Sequence, residues 1–453
     1  MTLISRQMIS QIGWVTGSYG AAQALRLFTN VVLARLLAPQ LFGIMVIVNT
    51  FRTGVELLSD IGIGQNIVSN RNGAEPDFFN TAWTIQIIRG LLLFALALLV
   101  ANPLAQFYDS SELSEIVPII AAVFLLTGFQ SPSRYVLQKR QAVKTIAIFD
   151  MSMAAASAIV HIALALYSPT IWALVAGLII ATGISTTTSF FLIDFRMHRI
   201  TINRDHIKAI ISFGKWVFAS SIVFFLAMNF DRLYFAKEVP FAILGIYGIA
   251  RTFSDMIGAL VQRVGNMLIF PKVAAFAKDR SELRPAIAGL RLKALTAAAC
   301  GLSLVVALSD LIILLLYDDR YIAAAFMLPI LMAGAWFSIL STMGEAFMLG
   351  IGKSVHSAQA NFGKLLWLVT GVPLALIYSG FAAALCVIAV ADLFRYLSLA
   401  VSQWKEGLSF LKQDIALLGL FVLLVIVWRL IFTQLGIVAD FDAWMAYGSI
   451  VNG

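Results

Sequence analysis

The sequence predicts an all-α integral membrane protein with two six-helix lobes related by a parallel internal repeat, plus one extra C-terminal helix. Composition is the first indication, because 60% of the residues are hydrophobic and only 12% are charged. In soluble proteins about a quarter of the residues are charged. Successive apolar segments are the second indication, since each meets the roughly 20 residues needed to cross a bilayer. The third indication is a stretch near the start of each half that occurs twice.

The repeat relates residues 14–58 to residues 216–260, displaced by 202 positions without a gap. Eleven of the 45 aligned positions are identical, against roughly one in ten expected by chance in so apolar a chain. Two copies of one helical unit at the start of two apolar halves are typical of a two-lobed transporter. The identities include Trp14 with Trp216, Gly43 with Gly245, Thr50 with Thr252 and Phe51 with Phe253.

Six predicted spans precede the polar stretch 195–208, and the repeat restarts just after it. Because six is even, both lobes should face the same way, related by an axis along the membrane normal. The predicted domains are 1–200 and 201–406 for the lobes and 407–453 for an additional span and tail, with a second extra helix left open. The predicted spans are 12–35, 40–68, 79–101, 116–137, 143–167, 170–194, 210–236, 241–270, 286–316, 322–351, 355–378, 381–403 and 413–434.

The basic residues predict a membrane topology and not a nucleic-acid partner, despite the net charge of +8. Twenty-two Lys and Arg residues fall on one side of the predicted spans, and only Arg35, Lys237 and Arg320 fall on the other. Cytoplasmic segments carry the excess of basic residues. We therefore expect the N-terminus and the loops 195–208 and 272–293 in the cytoplasm, the second loop with a short surface helix.

No motif predicts an enzyme, a cofactor or a metal site. Residues 350–354 (GIGKS) resemble the end of a phosphate-binding loop, but Phe347 stands where that motif needs a glycine. The outer connections are too short for a catalytic domain, and the N-terminal apolar segment is interpreted as a retained span. Cys300 and Cys386 lie in apolar runs and are predicted to pack against neighbours, without a disulfide or a metal.

Charged residues inside the predicted spans are informative, because each costs at least a few kcal/mol at bilayer depth. They should face a cavity or a partner. Two pairs spaced i,i+4, Arg52 with Glu56 and Arg251 with Asp255, place opposite charges on one helix face. Three further charges nearer helix ends are predicted to snorkel towards the interface: Asp231, Arg232 and Arg395.

Guanidinium groups bind phosphate oxygens through two parallel hydrogen bonds, so arginines in a cavity favour a phosphate-bearing anion over a cationic drug. Neighbouring carboxylates could take up a proton or a sodium ion during transport. The alternative is that the pairs only neutralise each other across the lobe interface. The predicted substrate-binding residues are Arg26, Arg52, Arg89 and Arg251, with Arg26, Arg52 and Arg251 in one cavity between the lobes. The predicted ion-coupling residues are Glu56, Asp255 and Glu345.

Three stretches resemble the polysaccharide-transporter branch of the multidrug/oligosaccharidyl-lipid/polysaccharide flippase superfamily. They are Leu33–Gly43 (LARLLAPQLFG), Asp60–Asn66 (DIGIGQN) and Phe78–Gly90 (FFNTAWTIQIIRG). The resemblance implies a V-shaped pair of lobes in a bacterial inner membrane. It also implies that an undecaprenyl-pyrophosphate-linked repeat unit of O-antigen, capsule or exopolysaccharide moves to the periplasmic leaflet by alternating access. The implied partners are the lipid-linked oligosaccharide, the bilayer, and the polysaccharide polymerase with its chain-length machinery.

Two alternatives share this fold: a lipid II flippase and a cation-coupled multidrug exporter. Arg26, Arg52 and Arg251 occupy positions comparable to those of cavity arginines in the lipid II flippase. That protein typically has fourteen helices, whereas only one added helix is evident here. The drug-exporting branch generally has an acidic cavity, and Arg26 and Arg52 argue against it.

The charge bias predicts which positions a membrane-impermeant thiol reagent reaches in intact cells. In a cysteine-free background, Ser110→Cys and Asp319→Cys should be labelled from outside, while Arg204→Cys and Arg280→Cys should be labelled only after lysis. The opposite labelling pattern would reverse the assigned orientation.

Overall fold

The computed structural model describes residues 6–265, 273 and 280–452. All regular elements in this part of the chain are helices. Ten helical stretches of the described residues are long and apolar enough to cross a membrane, which confirms the predicted all-α membrane fold. The chain divides into two compact units, Met1–Ile222 (unit 1) and Val223–Gly453 (unit 2), and each is described by itself.

Unit 1 contains eight helices and the start of a ninth among its described residues. Two short 3₁₀ turns follow α8 before the ninth helix begins. The helices are α1 (Arg6–Leu36), α2 (Pro39–Leu58), α3 (Ile63–Ser69), α4 (Pro76–Phe107), α5 (Ser111–Phe129), α6 (Ser133–Lys139), α7 (Val143–Tyr167), α8 (Ile171–Ser189) and α9 (Arg204–Glu238).

Two predicted spans of unit 1 are broken. The segment predicted as one span at 40–68 is α2 followed by α3, with Gly62 between them in the left-handed region (φ 68°). Glycine has no Cβ and adopts this conformation without strain. The span predicted at 116–137 is α5 followed by α6, separated at Pro132, because proline lacks the amide hydrogen that a continuous helix needs.

The two short helices α3 and α6 pack together on the start of α4. Ile63 and Ile67 of α3, Val136 of α6, and Phe78 and Phe79 of α4 form one buried apolar cluster. In addition, the Lys139 ammonium at the end of α6 donates to backbone carbonyls just after α3. The two short helices therefore form one packed layer with the start of α4.

The connection between α8 and α9 is fixed to α4 by side-chain hydrogen bonds. Asn80 Oδ1 accepts from the backbone N–H of Arg199 at 2.9 Å, and Thr84 Oγ1 accepts from the N–H of Thr201 at 3.1 Å. The His198 ring lies against the rings of Trp83 and Phe190, and its Nε2 is 2.6 Å from Ser131 Oγ. We name residues 197–203 the strap.

Helices α4 and α5 approach each other most closely at a pair of glycines. A Cβ added to Gly90 would lie 2.6 Å from Gly128 Cα, and one added to Gly128 would lie 2.8 Å from Gly90 Cα. Small residues at such crossings let helix backbones pack tightly in membranes. The crossing lies beside the cavity of unit 1 described below.

Unit 2 holds the rest of α9 and eight further helices of the described chain. They are α10 (Phe241–Val264), α11 (Arg280–Ala307), α12 (Ser309–Leu316), α13 (Ala324–Gly350), α14 (Val355–Ala389), α15 (Ala391–Lys405), α16 (Leu411–Gln434) and α17 (Phe441–Asn452). Helix α14 is kinked at Gly380 (φ 80°), where the sequence predicts a turn between two spans. Of the predicted loop 272–293, residues 280–293 form the first part of α11, and the rest, apart from residue 273, lies outside the described residues.

The junctions after α1 and after α9 fall in the register of the sequence repeat. Helix α1 ends at Leu36 and α2 begins at Pro39, while α9 ends at Glu238 and α10 begins at Phe241. Both pairs of positions differ by 202. Corresponding residues therefore end and begin corresponding helices in the two units.

Helix α16 is joined to unit 2 by a fully buried ion pair. Arg291 Nη1 of α11 lies 2.5 Å from Asp414 Oδ1, and the two side chains are only 1% and 3% exposed. The Tyr396 hydroxyl donates to the other carboxylate oxygen at 2.7 Å, and the Arg291 guanidinium lies over the Phe410 ring. This is the predicted extra C-terminal helix.

A second ion pair secures the end of α16 and the tail. The Arg429 guanidinium contacts Asp310 Oδ1 at 2.8 Å and donates to the carbonyl of Ala439 at 2.7 Å. The N–H of Ala439 donates back to Asp310. Helix α17 is described over 12 residues, and its Trp444 indole donates to the Ala325 carbonyl.

Several assignments from the sequence change with the structure. Arg291, Lys364 and Arg395, counted as cytoplasmic loop charges, are buried within helices, which leaves 19 basic residues against three. Cys300 and Cys386 are free as predicted, but both are exposed and not packed. Ser110 is only 4% exposed, so its exposed neighbour at position 111 is the better labelling site.

The glycine crossing predicts a strong dependence of stability on residue size. Gly90→Ala is expected to lower the free energy of unfolding by about 1–3 kcal/mol, because the added methyl forces α4 and α5 apart. Gly183→Ala in α8 is the matched control, since nothing lies within 4 Å of a Cβ there. Thermal unfolding in detergent measures both, and equal Tm values for the two variants would contradict the tight crossing.

Candidate functional site

Unit 1 contains a polar cavity of about 410 Å³ where α2 and α5 end and their broken continuations begin. The helix ends present backbone carbonyls there, and long side chains from α2 and α4 reach the same space. The charged lining residues are Arg52, Glu56, Asp60, Arg89 and Arg134. Three of the predicted site residues therefore lie together in one cavity: Arg52, Glu56 and Arg89.

Arg52 and Glu56 form the predicted i,i+4 pair on one face of α2. Arg52 Nη1 lies 2.9 Å from Glu56 Oε1. The Nε–H of the same guanidinium is buried and has no hydrogen-bond partner. A buried donor without a partner is costly, so Arg52 is suited to bind an acceptor that enters the cavity.

Arg89 has a different role, because its guanidinium holds the end of α2. Arg89 Nη2 donates to the backbone carbonyl of Glu56 at 2.5 Å and to Ser59 Oγ at 2.8 Å, and Nε donates to Ser59 Oγ at 3.0 Å. These donors satisfy carbonyl and hydroxyl groups where the helix stops. Arg89 thus fixes the cavity wall on which Arg52 and Glu56 stand.

The end of α5 is held in the same manner from α4. Gln86 Nε2 donates to the carbonyls of Thr127 at 2.9 Å and Gln130 at 2.8 Å, and the Trp83 indole donates to the carbonyl of Phe129 at 3.1 Å. Sequence reasoning missed Gln86 and Trp83. Their signal was a polar or amphipathic side chain one turn before a basic residue, Arg89, within an apolar span.

A further pair missed from the sequence closes the cavity on the side of α6 and α7. Arg134 binds Asp150 through two parallel bonds, Nε to Oδ1 at 3.1 Å and Nη2 to Oδ2 at 2.7 Å. The hydrogen bonds that Arg134 donates to Asp150 raise the pKa of Arg134. Burial raises the pKa of the neighbouring Tyr135 hydroxyl, whose ring packs where a Cβ on Gly64 would lie. Asp150, a carboxylate within an apolar span, was the available signal.

Arg26 stands apart from this group. It lies on α1, is exposed, and its Nη1 donates to Gln23 Oε1 at 3.4 Å. It is not among the residues that line the cavity of unit 1. Its predicted substrate contact stays a prediction.

Unit 2 has its own polar cavity, of about 210 Å³, between α10, α13, α14 and α15. Neutral polar side chains of α10 and α13 complete its wall. The charged lining residues are Arg251, Asp255, Lys364, Asp392 and Arg395.

Arg251 lies between two carboxylates. Its Nε is 3.3 Å from Asp231 Oδ2 and 3.4 Å from Asp255 Oδ1, within ion-pair distance but without hydrogen-bond geometry. Asp231 also accepts from the Tyr247 hydroxyl, and Asp255 pairs with Arg232. The i,i+4 pair is present, but the snorkelling predicted for Asp231 and Arg232 is wrong, since Asp231 is 1% exposed and both residues have partners inside the unit.

The other half of this cavity is a chain of pairs from α13 to α15. Lys364 Nζ lies 3.0 Å from Asp392 Oδ1, and Arg395 pairs with the predicted residue Glu345, which also accepts from Ser357 Oγ. Arg395 is 6% exposed at its side chain, so snorkelling is wrong for it too. Sequence reasoning counted Lys364 among the basic residues of the cytoplasmic side, because only its partner 28 positions away shows that it is buried.

Apart from Arg89, the arginines that line the two cavities are already paired with carboxylates in this state. An anion therefore binds by taking donors over from a carboxylate or by using the unpartnered Nε–H groups, and not by neutralising free positive charge. Forked guanidinium donors on a fixed wall match the geometry of phosphate oxygens. This is chemistry for the binding and release of an anion.

Comparison with known proteins identifies a family. Residues 32–326 match the family described as polysaccharide biosynthesis protein. The chain is 22% identical over 314 residues to the teichuronic acid biosynthesis protein TuaB of Bacillus subtilis, covering 69% of this chain and 64% of that protein. It is 21% identical to the succinoglycan biosynthesis transport protein ExoT of Rhizobium meliloti, covering 63% of this chain and 58% of that protein. The chain thus spans less than two thirds of these relatives.

Solved structures share the fold. The lipid II flippase MurJ in an inward closed conformation superposes with a TM-score of 0.75 at 12% identity, covering 96% of each chain. An inward-facing multidrug transporter of the MATE family gives 0.69 at 13% identity, covering 88% of this chain and 95% of that one. The relatives are named for biosynthesis and transport, and these neighbours are transporters and not enzymes.

Arg52 and Arg89 of the unit 1 cavity should differ in what their loss does to stability. Arg89→Met is expected to lower the Tm clearly, because hydrogen bonds from a charged group contribute about 1.5–3 kcal/mol and Arg89 makes three at the end of α2. Arg52→Met should lower it less, because a partly exposed ion pair contributes about 0–1 kcal/mol. Differential scanning fluorimetry compares them, and a larger loss for Arg52→Met would refute the division of roles.

Proposed function

The chain belongs to the polysaccharide biosynthesis protein family, and from this premise we propose that it is a flippase for a lipid-linked polysaccharide precursor. The substrate is an undecaprenyl-pyrophosphate-linked oligosaccharide, a repeat unit of O-antigen, capsule or exopolysaccharide. The protein carries it from the cytoplasmic to the periplasmic leaflet of a bacterial inner membrane by alternating access, with its own N-terminus in the cytoplasm. The names of the relatives, which include a succinoglycan transport protein, support this substrate class.

The observation that carries the proposal is the unpartnered Nε–H of Arg52 in the cavity of unit 1. One pyrophosphate oxygen would accept from it, and a second would accept from Nη2 of the same guanidinium, which completes a two-bond fork with Nε. Arg89 supports the same wall from behind. The proposed substrate-binding residues remain Arg26, Arg52, Arg89 and Arg251.

Separation of a carboxylate from its arginine would couple substrate binding to the uptake of a proton. When the phosphate takes a guanidinium, the carboxylate that held it loses its positive partner in a poorly solvated place, and uptake of a proton then becomes favourable. The proposed ion-coupling residues are Glu56, Asp255 and Glu345, each of which holds an arginine in this state.

The two alternative functions, lipid II flippase and multidrug exporter, predict different consequences of losing the protein. A lipid II flippase would be required for peptidoglycan synthesis, and a multidrug exporter would protect cells against cationic drugs. The arginines of the unit 1 cavity favour an anionic substrate over a cationic one. A polysaccharide polymerase and its chain-length machinery are the proposed partners, since they consume the exported repeat unit.

Complementation of a deletion strain tests the function and its main residue together. Deletion should abolish the surface polysaccharide and leave its precursor on the cytoplasmic leaflet. Arg52→Lys keeps the charge but loses the planar fork, so export should fall about 10- to 100-fold, and Arg52→Ala should lower it further. The readouts are surface polysaccharide and protein level in the membrane.

Arg71→Ala, an exposed arginine in the turn after α3, is the matched control and should export normally. Wild-type export by well-expressed Arg52→Ala would refute the role of Arg52. Drug sensitivity as the main effect of deletion would favour the drug exporter, and lysis from loss of peptidoglycan would favour the lipid II flippase.

A further inference from the structure

The cavity of unit 2 is surrounded by a set of charges that balance each other. Arg251 interacts electrostatically with Asp392, and Lys364 with Asp231, so the pairs around Arg251 and around Lys364 form a single group. We name this group the charge cluster, and among the described residues that define it four are basic and four acidic. They are Arg232, Arg251, Lys364, Arg395, Asp231, Asp255, Asp392 and Glu345.

Lys364 differs from the three arginines of the cluster. Its side chain is only 4% exposed, and its Nζ lies 3.0 and 3.1 Å from the two oxygens of Asp392, with Met228 Sδ at 3.9 Å. An ammonium is a compact point charge with no fixed fork. The Lys364 ammonium therefore resembles a small bound cation that contacts both oxygens of one carboxylate.

Two buried oxygens on α9 and α14, the helices that carry Met228 and Lys364, have no hydrogen-bond partner. They are Oδ1 of Asn361, one turn before Lys364 on α14, and Oδ1 of Asp231. Together with the Asp392 carboxylate they are hard oxygen donors, which suit alkali and alkaline-earth cations. The surroundings of Lys364 are therefore those of a cation site whose cation is covalently part of the chain.

We propose that the Lys364 ammonium is a built-in cation which replaces a bound sodium ion, so that unit 2 completes its charge balance without a metal. A sodium ion added to the balanced cluster would leave a net positive charge in a poorly solvated place, which is unfavourable. The inference concerns the coupling ion and rests on the proposed transport function for its meaning. It implies that unit 2 does not couple transport to a sodium gradient.

Ion binding by the purified full-length protein tests the proposal without measuring transport. The probes are radioactive sodium in a filter-binding assay and the Tm in sodium chloride compared with choline chloride. The wild-type protein should bind no sodium and show the same Tm in both salts. Lys364→Met removes the charge and leaves a net negative cluster, so it should bind one equivalent of sodium and gain about 5 °C in sodium chloride.

Two variants serve as controls. Lys364→Arg keeps the charge and should stay indifferent to sodium. Lys353→Met removes another lysine of unit 2, one that pairs with Glu406 and is 45% exposed, and it too should bind no sodium. Sodium binding by Lys353→Met would show that loss of any lysine suffices, which would overturn the proposal.

Sodium binding or sodium-specific stabilisation of the wild-type protein would overturn the proposal, as would a folded Lys364→Met protein that ignores sodium. If Lys364→Met does not fold, the neutral double variant Lys364→Met/Asp392→Asn decides. Recovery of folding without sodium binding supports the proposal, and a double variant no more stable than the single one overturns it. A failure of polysaccharide export would leave every one of these results in place, so the two proposals fail separately.

Discussion

The structure depends on one constraint, which is that a charged side chain at bilayer depth must have a partner of opposite charge. An unpaired charge there is strongly unfavourable, and removing one partner of a buried pair costs about 3–5 kcal/mol. In unit 1 the constraint joins neighbouring helices, as Arg134 of α6 binds Asp150 of α7. In unit 2 it joins elements far apart in the chain, as Arg291 of α11 binds Asp414 of α16. The helices between these pairs are apolar and would otherwise slide against each other.

Under the proposed function, the same pairs would determine how a substrate acts on the protein. A phosphate that takes over the Arg52 guanidinium changes the electrostatic surroundings of Glu56, and a carboxylate without its partner changes its protonation or its position. Binding energy is thereby converted into a rearrangement of side chains on one helix face. Because Arg89 holds the end of α2 by its backbone, the rearrangement does not need the helix itself to unwind. The cavity therefore has two kinds of donor: those of Arg89, which stay bound to the end of α2, and those of Arg52, which can exchange partners.

Sequence reasoning predicted the helical fold, and it named Arg52, Glu56 and Arg89 as candidate site residues because their charges interrupt apolar runs. It found pairs that are one helical turn apart, since periodicity alone brings Arg251 next to Asp255. Pairs distant in the chain were missed: Lys364 with Asp392, and Arg429 with Asp310, 119 positions apart. The breaks at Gly62 and Pro132 were missed as well, because an apolar window extends across a single residue that stops a helix. The charged residues can be recognised in the sequence, but their partners are determined by tertiary packing.

The strap between α8 and α9 has a consequence for how the protein responds to proteases. Loops that join two halves of a transporter are normally the first places where a protease cuts, and Arg196, Arg199 and Arg204 offer three trypsin sites here. A protease must draw several residues of extended backbone into its active site, which requires local opening. The N–H groups of Arg199 and Thr201 are held by side chains of α4, so opening must first break these bonds. Brief digestion of the native protein with trypsin should leave the strap uncut. Cleavage there should occur only after the hydrogen bonds between α4 and the strap have broken.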